Sequence, residues 1–74
     1  MWLDRIGPGK AAMVEDLQVG EILQGRLKDF GFVPGTRVIC RYRSPGGQVM
    51  AIECRGAVIA LRTRDLGKIR VRDI

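Results

Sequence analysis

At 74 residues, with 46% hydrophobic, 28% charged and 5% aromatic residues, the chain has the length of one small domain, residues 1–74, and no room for a second. A domain this size buries only about 60% of the surface its unfolded chain exposes, so its thin core is a poor host for an enclosed active site and favours a binding or regulatory module. Thirteen Lys and Arg against eight Asp and Glu leave a net charge of +5, which suits anionic partners such as nucleic acid, acidic lipid or an acidic protein face.

Gly7-Pro8-Gly9 is a turn signal that follows the apolar pair Leu3 and Ile6, since Pro fixes one φ and glycine accepts almost any. A short strand over residues 10–14 should follow it, with the acidic pair Glu15-Asp16 capping or solvating the loop that Gly20 ends. Over residues 21–30 the apolar side chains of Ile22, Leu23, Leu27 and Phe30 recur at a three-to-four spacing, which predicts a short helix with one greasy face. Gly31 suits the left-handed position just past its end, and Val33-Pro34-Gly35-Thr36 suits a type II turn. From Arg37, Val38, Cys40 and Tyr42 alternate with Arg37, Ile39, Arg41 and Arg43, the pattern of a strand with an apolar inner face. Ser44-Pro45-Gly46-Gly47 turns the chain into a returning strand with Met50, Ile52 and Cys54 inward, and Cys40 should then face Ala51 or Ile52. Beyond Gly56 come a continuous apolar strand at residues 57–61, a turn at residues 63–67 and an alternating strand at residues 68–72. Five short strands and one helix predict a mainly β fold, a small barrel.

The chemistry of the chain is sparse. It has no His, its only Ser is Ser44 in a predicted turn, and no glycine run has the spacing of a phosphate loop, so no catalytic residue is assigned. Cys40 and Cys54 are too few for a secreted disulfide framework and fall short of the four ligands of structural zinc. They are expected as reduced, buried core residues, with no metal site and no cofactor. No stretch reaches the roughly 18 apolar residues of a membrane span, and the first residues lack a signal peptide's pattern, so a cytoplasmic protein without membrane insertion is expected. Arg37, Arg41, Arg43, Arg55 and Arg62 lie on predicted strands or their ends, mostly out of phase with the apolar residues. They are expected to form a basic outer face, either solvated and protein-docking or binding RNA or DNA. Single-strand binders also need aromatic platforms, and Tyr42 shares the inward phase of Val38 and Cys40.

The order of features resembles one family along essentially the whole chain. Leu3-Asp4-Arg5-Ile6-Gly7-Pro8-Gly9, the run from Arg26-Leu27-Lys28-Asp29-Phe30-Gly31 through Phe32-Val33-Pro34-Gly35-Thr36, Arg55-Gly56 with Ile59-Ala60-Leu61-Arg62, and Ile69-Arg70-Val71 are similar to FeoA, the ferrous iron transport protein A family. The run from Arg26 to Thr36 is the most specific part. The chain departs from the family's hairpin turn with Pro45-Gly46-Gly47-Gln48 and from its usual residues before the last strand with Asp65-Leu66-Gly67.

The resemblance implies an SH3-like β-barrel with a helix inserted after the first strand. It also implies a noncatalytic cytosolic accessory that docks on the GTPase-bearing cytosolic part of the FeoB ferrous iron transporter and modulates it. Related barrels close iron- and manganese-dependent repressors, but this chain lacks a DNA-binding helix-turn-helix. Docking is expected to rest on Arg26, Leu27, Phe30, Phe32, Val33 and Pro34, because the three apolar residues Phe30, Phe32 and Val33 crowd together there. Two alternatives stay open: nucleic-acid binding through the basic strands, and weak self-association by strand addition at an exposed barrel rim.

Overall fold

A computed structural model describes residues 1–74. A 3-10 turn at Leu3–Arg5 leads into strand β1 (Ala11–Leu17), helix α1 (Glu21–Asp29), strands β2 (Arg37–Arg43), β3 (Val49–Cys54) and β4 (Ala57–Arg62), a one-turn helix α2 (Thr63–Leu66) and strand β5 (Ile69–Asp73). The strands form one antiparallel sheet in the order β4-β3-β2-β1-β5. This is the mainly β arrangement, with a helix after the first strand, that the alternation predicts. The inner face collects Val14, Val38, Cys40, Met50, Ile52, Cys54, Ile69 and Val71, joined by Leu3, Leu27, Phe32 and Leu66 from outside the sheet. Burial of such side chains, at about 25 cal/mol per Å2 of apolar surface, is what holds a domain this small together.

Two β-bulges decide where side chains point. In the β2–β3 pair Cys40 faces Ile52 while Tyr42 faces Ala51, so two residues of β2 span one step of β3. A bulge of this kind reverses the phase of the strand beyond it. Tyr42, expected inward, is therefore 55% exposed, and Arg43, expected on the outer face, lies opposite buried Met50. There Arg43 is half-buried and donates hydrogen bonds from its guanidinium to the Asp4 carbonyl. In the β1–β5 pair the register shifts between Val14 and Asp16. Glu15 and Asp16 are consequently both exposed inside a strand that continues to buried Leu17, rather than in the loop expected for them.

Helix α1 ends as the glycine predicts. The Phe32 N–H donates to the Leu27 carbonyl and the Gly31 N–H to the Lys28 carbonyl, both at 2.9 Å, with Gly31 at φ +93°. These are the paired bonds of a Schellman motif, whose residue after the glycine packs back onto the last turn. That residue is Phe32, and it sits with Leu27 in the core. The following turn closes with a bond from the Thr36 N–H to the Val33 carbonyl and Gly35 at φ +92°, as a type II turn requires. The helix buries a narrower stripe than its spacing suggests. At 100° per residue Ile22 lies about 140° round the helix from Leu27, and it is 84% exposed.

Residues 63–67, expected as a turn, begin with α2 instead, and its Leu66 is fully buried. The two edges of the sheet differ. Along β5, the Val71 N–H donates to the Met1 carbonyl and the Met1 nitrogen donates to the Val71 carbonyl, while Trp2 bridges to Arg70 and its ring lies 5.8 Å beneath the Arg70 guanidinium. Along the outer edge of β4, away from β3, no strand pairs.

Candidate functional site

Helix α1 turns the face formed by Leu23, Arg26, Leu27 and Phe30 toward β4, a spacing of three, one and three that keeps these side chains on one side of the helix. Between this face and residues 59–62 of β4 lies a hollow of about 240 Å3, with Asp65 of α2 at its margin. Leu27 forms the floor, because its side chain continues into the core. Phe30 is 47% exposed and Ile59 and Leu61 are half-buried, so the walls present apolar surface to solvent. Arg26 and Arg62 are exposed, and neither forms an ion pair. The helix is fixed by a hydrogen bond from the Gln24 side-chain amide to the Leu17 carbonyl at 2.7 Å and by the Schellman closure.

Of the residues expected to dock a partner, Arg26, Leu27 and Phe30 meet in this hollow. Phe32 does not, since its side chain is 0% exposed. The expectation of a surface Phe32 is corrected by the Schellman motif, which draws that position inward; the same motif keeps all but the edge of Leu27 out of solvent. Half-buried Val33 and exposed Pro34 lie in the turn beyond the helix, outside the hollow. The sequence did not assign Leu23, Ile59, Ala60, Leu61, Arg62 and Asp65 to this wall. Leu23 is signalled by the helical spacing it shares with Leu27 and Phe30, and Ile59, Ala60 and Leu61 by the unalternating apolar run of β4.

The expected basic face is broken up. Arg43 turns inward, Arg41 donates from Nε to Glu53 Oε1 at 2.7 Å, and Arg62 stands on the β4 edge. Arg37 and Arg55 share a separate polar hollow with Thr36 and Glu53. Arg55 occupies a left-handed position, φ +51°, beside Gly56 at φ +84° in the β3–β4 turn, the conformation of a type I′ hairpin. Its side chain crosses Gly31 so closely that a Cβ there would lie 2.7 Å from Arg55 Cδ.

The titratable groups lend little chemistry. The hydrogen bond from Arg41 holds the Glu53 carboxyl below the usual carboxylate range. Burial pushes both cysteine thiols up, against a smaller lowering by the Tyr42 backbone and Arg43 at Cys40 and by Arg55 at Cys54. A raised thiol pKa makes a poor nucleophile and a poor metal ligand at neutral pH. The cysteines do not pair directly, for Cys40 faces Ile52 and Cys54 faces Val38. No three Asp, Glu or Cys side chains converge as metal ligands do, and no helix is long and apolar enough to cross a membrane.

The family model for the FeoA domain matches residues 1–73. Among solved structures, the FeoA protein of Chlorobium tepidum superposes with a TM-score of 0.96 at 24% identity, over 100% of this chain and 70% of that one. The iron(II) transport protein A of Clostridium thermocellum gives a TM-score of 0.92 at 31% identity, over 100% of this chain and 46% of that one. A zinc complex of Stenotrophomonas maltophilia FeoA, described as a prokaryotic SH3 domain protein and a candidate activating factor of ferrous iron transport, gives 0.84 at 27% identity, over 96% of this chain and 88% of that one. The barrel is thus SH3-like. No curated protein matches the chain.

Proposed function

The chain belongs to the FeoA domain family, which is associated with ferrous iron transport, and from that premise we propose that it is a noncatalytic cytoplasmic accessory docking on the GTPase-bearing cytosolic part of a FeoB-type transporter. Docking uses the hollow between α1 and β4, and modulation of the transporter follows from occupancy of that surface. The observation that carries this reading is the solvent-facing wall of Phe30, Ile59 and Leu61 between the unpaired guanidiniums of Arg26 and Arg62. Apolar surface framed by arginine is the composition of an interface centre, where aromatic and Arg anchors supply most of the binding energy. Val33 and Pro34 extend the surface at the helix end.

Nucleic-acid binding draws less support, because the five strand arginines do not share one face and the exposed Tyr42 lies on the far side of a bulge from Arg37. The test is calorimetric titration of the purified transporter domain with wild-type protein and with Phe30→Ala. Binding by the wild type that Phe30→Ala weakens at least about tenfold, a loss typical of an aromatic anchor, is the expected result. Equal affinity for the two proteins would remove the assignment of this surface.

A further inference from the structure

We infer that the open edge of β4 receives an extended, acidic and apolar peptide segment as an added antiparallel strand, an inference that rests on the hollow being a docking surface and specifies how a partner fills it. The Thr63 N–H donates to the Gln48 carbonyl at 2.9 Å, continuing the unbroken register in which Leu61 faces Met50 and Ile59 faces Ile52. Bonded and open positions alternate along an antiparallel pair. Ala57, Ile59 and Leu61 therefore turn their backbone groups to β3, and the N–H and C=O groups of Val58, Ala60 and Arg62 face away from the sheet. No strand pairs on that side, no backbone hydrogen bond from elsewhere in the chain reaches these groups, and Val58 is 58% exposed.

Edges that must stay solitary are guarded by a proline, a bulge, an inward charge or a covering segment. The β5 edge has such a cover in Met1 and Trp2. The outer β4 edge has no proline, no bulge and no paired segment: its register is regular, and its one charge is Arg62.

The geometry also sets the pattern of the incoming strand. A residue opposite Arg62 puts its side chain beside the guanidinium on the outer face, at the 4.5–5.5 Å Cβ separation of about one cross-strand pair, and a carboxylate fits there. The next residue, opposite Leu61, points inward over the hollow toward Phe30, and so does the one opposite Ile59. The ligand therefore reads, from its N-terminus, acidic, apolar, any, apolar, any. Charge selects this occupant over a second copy. Two copies would each carry +5, and antiparallel self-pairing centred on Ala60 would set Arg62 against Val58 with no carboxylate to meet it. At the hollow itself Asp65 is the one acidic group against Arg26 and Arg62.

The experiment uses a fluorescein-labelled peptide, glutamate-leucine-threonine-leucine-threonine, read by anisotropy against wild type, Ala60→Pro and Arg62→Glu, with circular dichroism to confirm folding. The Pro removes an outward N–H, a change that edge strands tolerate. Wild type is expected to bind, and Ala60→Pro to bind about tenfold more weakly. Arg62→Glu should lose the peptide similarly and regain affinity for a version headed by lysine, an outcome that decides the matter even if Ala60→Pro unfolds. The same proteins are titrated with the transporter's cytosolic domain. If both variants bind that domain as wild type does, strand addition is overturned, and docking then rests on the Phe30→Ala titration without Arg62 as an anchor. If wild type ignores the domain but the peptide series behaves as expected, docking on that transporter fails and strand addition stands. A concentration-dependent dimer in sedimentation, with no peptide bound, would overturn the acidic ligand in favour of a second copy.

Discussion

Phe30 and Phe32 are two residues apart in the chain and opposite in consequence. Phe32 is wholly buried against Leu27, and truncating such a phenylalanine costs about 3–5 kcal/mol in lost transfer free energy and residual cavity. The whole stability expected of a 74-residue domain is only about 4–11 kcal/mol. Phe32→Ala should therefore lower the melting temperature by about 12–40 °C, at about 4–8 °C per kcal/mol for a domain this size, and leave part of the sample unfolded at 37 °C. Phe30 keeps about half its surface in water, so Phe30→Ala should cost only about 1 kcal/mol while weakening the transporter domain's binding. Urea unfolding followed by Trp2 fluorescence and far-UV circular dichroism gives the first quantity, and the titration gives the second. A Phe32→Ala protein within about 1 kcal/mol of wild type would refute the inward Schellman packing. A Phe30→Ala protein as destabilised as Phe32→Ala would refute the division between structural and docking aromatic.

Gly31→Ala should cost about 1–2 kcal/mol for a β-carbon in the left-handed region, and nearly the same in an Arg55→Ala background, because the atoms it would meet lie toward the end of an exposed, flexible side chain. A double-mutant cycle from urea midpoints checks this. The Glu53 carboxyl, held low by Arg41, contributes stability that is present above the ordinary carboxylate pKa and is lost as pH falls through the folded value. Glu53→Gln should accordingly flatten the acid limb of the urea midpoint measured between about pH 2 and 6, leaving the shape above it unchanged. Cys40 and Cys54, buried and with raised pKa values, should stay silent to Ellman's reagent at pH near 8 and react together in urea; rapid native reaction at either would place that thiol at the surface.

The elements were legible where a local rule sets them. Alternation placed β2, β3 and β5, and the turns at Gly7-Pro8-Gly9 and Val33-Pro34-Gly35-Thr36 follow from residues that few other conformations suit. Alternation cannot see a bulge, because the extra residue is defined by the partner strand; hence Tyr42 and Arg43 were assigned to each other's face. The one-turn α2 is too short to leave a period, and its Leu66 is ordered by tertiary packing. Half of the candidate site was readable for a similar reason. Arg26, Leu27 and Phe30 lie within one helical face, whereas Ile59, Leu61 and Arg62 join them only through the fold, some thirty residues later in the chain. The inward turn of Phe32 was available to a stricter local argument, since a glycine closing a helix commonly has an apolar successor that folds back on the last turn.

Because Met1 and Trp2 seal one flank of the sheet and leave the other bare, the domain is monovalent in its backbone hydrogen bonding. It can lengthen a sheet by a single strand and then has no second flank to pass the pairing on. A protein so built can recognise exposed backbone without seeding a growing ladder of its own kind, which separates adhesive function from fibril formation in a barrel this small.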